Sequence, residues 1–225
     1  MFSVLFEVHP KSDQWEAYLA NAKMLRPELE KIDGFVDNIR YKSLARDGWI
    51  LSLSGWRDEK SLVRWRTHAG HHGVQELGRG EILSDYHLRV GQIIADTQVP
   101  PGHELVEQRL DLTDIGLATF ISLIDARQTP EWIASHSPQE VAESLGLDTD
   151  FIGLVGWDVF DAVLAPGNLI LMTSWEDQGT AEAFDIAKKI PEGARFRTVR
   201  IVRDYGMYDR RETPQYYPQK TRPTS

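Results

Sequence analysis

The sequence predicts an α+β protein made of two ferredoxin-like units of β-α-β-β-α-β order, their antiparallel sheets packed against each other. Three observations predict it. First, SGWRDEKSLVRW (54–65) recurs as TSWEDQGTAEAF (173–184), with Trp175 answering Trp56, Asp177 answering Asp58 and Phe184 answering Trp65 at an offset of 119 residues. The same offset relates Gly34 to Gly153 and the turn dipeptide Asp47-Gly48 to Pro166-Gly167; the letters differ, but both dipeptides force a reversal. An internal duplication divides 225 residues into two units of ordinary domain size. Second, strand-like and helix-like segments follow one another in the same order in both halves. Third, GFVDNIRY and WILSLSGW carry apolar residues on both faces, so each sheet needs a second cover. The other copy supplies it.

In the first half, SVLFEV reads as a buried strand. A helix follows, with Asp13 and Glu16 at capping-box spacing and Trp15, Tyr18, Leu19, Ala22 and Leu25 as its apolar stripe. Pro27 opens a separate short turn that Gly34 ends. GFVDNIRYKS and WILSLSGW form a hairpin, Asp58 caps a second helix that buries Leu62 and Trp65, and YHLRVGQII (86–94) is the fourth strand. The second half repeats this: ATFISLIDA, helical turns entered at Thr129-Pro130 and Ser137-Pro138-Gln139-Glu140, FIGLVGWDVF, NLILMTSW, a helix from Asp177, and RFRTVRIVRDY. Residues 97–102, TQVPPG, are a linker by composition. HELVEQRLDL after it reads either as an edge strand or as an ordered connector. The expected division is 1–98, 103–209 and an extended arm over 210–225, in which Tyr216 and Tyr217 lie between Pro214 and Pro218.

Composition narrows the function. Apolar content of 41% and charged content of 26% suit a globular protein with a real core. A net charge of −9 argues against nucleic acid and anionic membrane as partners. With no cysteine there is no disulfide, thiol nucleophile or thiolate metal site. MFSVLFEVHP has neither a basic leader nor a membrane-spanning apolar run, so a cytoplasmic protein is expected. His68, His72 and Glu76 would share one face of a continuous helix, as metal ligands could. Gly70 and Gly73 interrupt that helix at about 1 kcal/mol each, and no metal is expected.

The first half, Phe2 to Ile94, resembles the antibiotic biosynthesis monooxygenase superfamily of dimeric α+β barrels. The resemblance rests on WRDEKSLVRWRTHAGHHGVQELGRGEILSDYHLRV, with Trp56, Asp58, Trp65, His68, His71, Gln75, Gly78-Arg79 and Tyr86 at the superfamily's spacings. It implies that the two sheets close into an α+β barrel and that Trp65 walls a pocket between helix and sheet, beyond its plainer reading as a core aromatic. It also implies a cofactor-independent monooxygenase acting on a small aromatic or quinol-type substrate, whose own carbanion passes an electron to O₂. The catalytic groups would be His71 or His72 as base and Asn38 or Arg40 as donors to the oxyanion. Trp65, Glu7, His9, His68 and Tyr86 would contact the substrate. The alternative is a non-catalytic small-molecule-binding protein of the same fold. Heme-degrading members carry an Asn on the first strand and a His ligand after the helix Trp; here Glu7 and Gln75 stand in those places, and heme is not expected. Phe184 replaces Trp65 in the second half with no His after it, so that half is expected to be architectural. The Pro- and Tyr-containing arm points to a homodimer to which it contributes.

Overall fold

The computed structural model describes residues 1–213 and 220–221. Strands β1 (Phe2–Pro10), β2 (Phe35–Ser43), β3 (Ile50–Trp56) and β4 (Leu83–Asp96) are followed by β5 (Phe120–Arg127), β6 (Leu154–Ala162), β7 (Asn168–Trp175) and β8 (Arg195–Gly206). They close into one eight-stranded antiparallel barrel in the order β1-β3-β2-β6-β7-β5-β8-β4. Each set of four runs fourth-first-third-second. One seam is long, from His87 opposite Gly206 to Asp96 opposite Arg197. The other is three residues of β2 against β6.

Closure explains why the strands are apolar on both faces. Leu5, Leu51, Leu53, Ile121, Leu123 and Ile201 fill the barrel interior, while the alternate residues meet helices outside. One end of the interior is polar. Buried Glu7 sits between Arg46 at 2.5 Å and Arg89 at 2.6 Å, and Arg46 continues to Asp158 of β6 at 2.6 Å. The β2–β3 turn is thereby tied to the second half.

Helices α1 (Trp15–Leu29), α2 (Glu59–Arg66) and α3 (Ala69–Leu77) cover the first half; α4 (Pro130–Ala134), α5 (Pro138–Ser144) and α6 (Gln178–Ala187) cover the second. The predicted caps at Asp58, Thr129, Ser137 and Asp177 all accept a backbone N–H at the start of their helices. Two helices depart from expectation. Helix α1 starts without a side-chain cap from Asp13 and runs through Pro27; near a helix end the missing N–H costs a single hydrogen bond. Helix α3 continues through both glycines. Residues 103–112 form no strand but are an ordered connector, held where the Gln92 side chain accepts from the backbone N–H groups of Gln108 and Arg109 at 2.7 and 2.9 Å. Tyr216 and Tyr217 lie outside the described residues. Before them Glu212 accepts from Thr113 and from the Asp204 N–H, and after them Lys220 donates to the Arg79 carbonyl, so both described ends of the arm rest on their own chain.

Candidate active-site cavity

The first-half helices stand off the sheet. Helix α1 buries only Leu29 and α3 buries no residue. Between them and the outer face of the sheet lies a cavity of about 430 Å³, within the usual range for a small-molecule site. Strand register sets its floor. One row runs Arg40, Ser52, Phe6, Leu88, Tyr205 across five strands, and the next runs Asn38, Ser54, Val4, Val90, Arg203. The floor is therefore polar over β2 and β3, apolar over β1 and β4, and polar again over β8. Tyr18 and Leu25 of α1, Leu62 and Trp65 of α2, and His71 and Val74 of α3 form the roof.

Trp65 is half-buried and stacks on His71, with ring centroids 4.3 Å apart and planes 12° from parallel. The His71 Nδ1 lies 3.0 Å from the Trp65 carbonyl oxygen. A carbonyl only accepts, so Nδ1 carries the hydrogen and Nε2 is the acceptor. Burial lowers the His71 pKa to about 4. The ring is thus neutral near pH 7, an acceptor that is always available but a weak base.

Tyr86 is 6% exposed, and its hydroxyl oxygen accepts from both Arg79 and Arg210. Among the described residues six arginines line the cavity (26, 40, 66, 79, 203 and 210), against one carboxylate, Glu59. Arg109 engages Glu59 at 2.6 Å. In a chain of net charge −9 this is a local cationic chamber.

The family profile described as antibiotic biosynthesis monooxygenase matches residues 1–77. A Pyricularia oryzae protein named jasmonate monooxygenase is 48% identical over 223 residues, covering 97% of this chain and 99% of its own. The chain belongs to the antibiotic biosynthesis monooxygenase family. Among solved structures, an aldoxime dehydratase in complex with butyraldoxime aligns at a TM-score of 0.51 and 14% identity, over 89% of this chain and 79% of that one. That likeness is one of fold alone.

For this family member, the structure brings together Asn38, Arg40, Trp65, His71 and Tyr86 of the sequence-predicted residues. Glu7 and His9 are not in the cavity. Along β1 it is Val4 and Phe6 that face outwards, so Glu7 falls on the inner face, in the barrel's ion-pair network. His9 stacks on Trp49 at 5.4 Å and lies 2.8 Å from Ser84 Oγ. His68 occupies the cap position before α3, stacked on Trp65 at 5.6 Å but outside the cavity lining. His72 has its side chain 48% exposed, 3.6 Å from Glu76. Of the two candidate bases, His71 is the one in the cavity. Asn38 is there but cannot donate to an oxyanion, because its amide N–H groups go to Ser52 Oγ at 3.0 Å and the Leu53 carbonyl at 3.2 Å; its oxygen is what remains.

Sequence reasoning missed Tyr18, Arg203, Tyr205 and Arg210. Tyr18 was visible as part of the α1 stripe. The other three come from β8 and the segment after it and reach the first-half cavity only through barrel closure. Among the described residues no helix is long and apolar enough to cross a membrane.

Proposed function

We propose that this family member is a monooxygenase acting in the first-half cavity on a jasmonate-type substrate, that is, a largely apolar carboxylate. The observation that carries the proposal is a cavity with an apolar centre, a neutral imidazole acceptor and an excess of arginines. The name of the 48% identical relative supports the substrate class. Placing one atom of O₂ in a C–H bond and releasing the other as water consumes two electrons and two protons. A substrate oxidised further to the ketone level supplies them itself; otherwise an external two-electron donor does. In this reading His71 Nε2 accepts a substrate proton or hydrogen bond, and Trp65 keeps water from one side of it.

The low basicity of His71 favours a second reading, a binding protein that turns nothing over, because so weak a base removes a proton only from an already acidic C–H. Incubation with jasmonic acid under ¹⁸O₂, with and without ascorbate or a reduced nicotinamide, separates the two. One ¹⁸O atom in the product supports the monooxygenase; bound but unlabelled jasmonate in every arm rejects it. A hydroxyaromatic arm tests the aromatic or quinol-type substrate that the family resemblance implies.

The tandem division belongs to the same proposal, with residues 1–98 as the working copy and 103–209 as its scaffold. So does a homodimer. Light scattering on the full chain and on a chain ending at Tyr208 tests the latter: a full-length monomer rejects it, and an unchanged mass after truncation removes the arm from the interface.

A further inference from the structure

The cavity arginines are not equivalent. Arg26 is paired with Glu30 at 2.7 Å. Arg79 and Arg210 converge on the Tyr86 hydroxyl. Arg203 donates to the Val202 carbonyl at 3.2 Å. Arg66 acts on the Tyr205 hydroxyl, and Arg40 is set apart by its place on the floor opposite Ser52 and beside Tyr18. Its charge acts on the Tyr18 hydroxyl, its Nε is buried with no partner, and no carboxylate of the described residues lies within 4.0 Å of it. A half-buried cation facing a cavity without a counter-charge is costly, and a ligand anion removes that cost.

The groups around Arg40 point to the same ligand chemistry through hydrogen-bond polarity. The Arg40 charge draws the Tyr18 oxygen lone pairs towards it, which leaves the O–H to be offered to a ligand. Burial pushes that hydroxyl above its ordinary pKa despite the Arg40 charge, which keeps it a phenol and a donor. Ser52, directly across from Arg40 in the β2–β3 register, accepts from Asn38 Nδ2 at 3.0 Å and likewise retains its O–H. Neither hydroxyl donates to a protein acceptor among the described residues. Three donors without an offered acceptor match a group that only accepts, which excludes an alcohol; between a carboxylate and its ester, the charge opposite Arg40 favours the ionised carboxylate.

We infer that Arg40, with the Tyr18 and Ser52 hydroxyls, is the anchor for the substrate's carboxylate, at the β2 end of the cavity. The hydrocarbon then lies over Phe6 and Leu88, which continue the same cross-strand row. Arg40 thus sets specificity by charge, in place of the oxyanion role expected from the sequence. The inference rests on this cavity being the substrate site.

The test is calorimetric titration of wild type, Arg40→Met, Tyr18→Phe and Arg203→Met with jasmonic acid, decanoate and the methyl ester of each. Wild type is expected to bind each acid about ten- to a hundred-fold more tightly than its ester, as charge-assisted hydrogen bonds imply. Arg40→Met should erase that preference while leaving ester binding within about two-fold, and Arg203→Met should retain it. If Arg40→Met loses the ester as well, Tyr18→Phe decides: weaker acid binding with unchanged ester binding supports the anchor, and no change overturns it. Equal binding of acid and ester by wild type, or a preference that survives Arg40→Met or disappears in Arg203→Met, overturns it too. The two proposals fail separately. Jasmonic acid bound and oxidised without acid preference removes the anchor alone; decanoate bound with the Arg40-dependent preference but jasmonic acid unbound removes the jasmonate reading alone. Binding of no probe at all overturns both.

Discussion

Gly34 and Gly153 stand 119 residues apart, with φ of 87° and 83°. A Cβ on the first would lie 2.1 Å from Ser61 Oγ, and on the second 2.3 Å from Thr180 Cγ2. Both precede a strand with a bulge at the same relative place, and in both halves the helix after the third strand is capped by Asp, Asp58 or Asp177. The frames agree, but the space beneath the helices does not. In the second half α5 drives Val141 and Ala142 fully into the core, and Phe184 packs 4.6 Å from Trp175 and 5.5 Å from Phe151. In the first, Trp65 occupies the position of Phe184 but stacks against His71, and α1 offers Tyr18 and Leu25 to a cavity. The turns and caps that make the fold are the same in both halves, and under the proposed function the difference lies in which of two equivalent spaces is left unfilled. Stability should then depend on one half and chemistry on the other.

Phe184→Ala should separate the two halves most strongly. It should cost about 3–5 kcal/mol in denaturant unfolding, as buried aromatic truncations do, with ligand affinity kept under native conditions; loss of affinity without loss of stability would reverse the roles. Next, jasmonic acid at 100 times its Kd should stabilise the protein by about 2.7 kcal/mol. The added hydrogen-exchange protection should fall on α1–α3, and equal protection over α4–α6 would count against a single working half. Trp65→Ala should cost only about 1–2 kcal/mol of stability, within the common range for single substitutions, yet weaken ligand binding at least ten-fold by opening the roof.

The smallest effect is on pH dependence. Burial holds His71 near 4 in the folded state, against about 6.5 when unfolded. Between these values the unfolded chain binds more protons, so stability is fully present above about pH 6.5 and is lost as pH falls towards 4. Wild type should therefore lose more stability between pH 7 and pH 5 than His71→Phe does. Equal losses would mean that the imidazole is not desolvated.

What was legible in the sequence was local. The hairpin turns, the Asp, Thr and Ser caps and the repeat each need only neighbouring residues, and they fixed the element order. Trp65, His71, Asn38 and Arg40 were legible as cavity residues through the family resemblance. The errors arose where long-range closure decides. Glu7 and His9 were placed on the cavity face because β1 is apolar on both sides, which leaves its parity undetermined until the barrel shows which residues point in. Arg203 and Tyr205 sit in the half expected to be architectural and enter the site only because β8 pairs with β4. Asn38 had the right place and the wrong polarity, since its donors are spent on Ser52 and Leu53.

The space under α1–α3 is proposed as the substrate site, with none in the second half. Crystals of the protein soaked with jasmonic acid test it most directly. The predicted result is ligand density over Phe6 and Leu88 with its carboxylate at Arg40; density beneath α4–α6 or inside the barrel, with the first-half cavity empty, would contradict it.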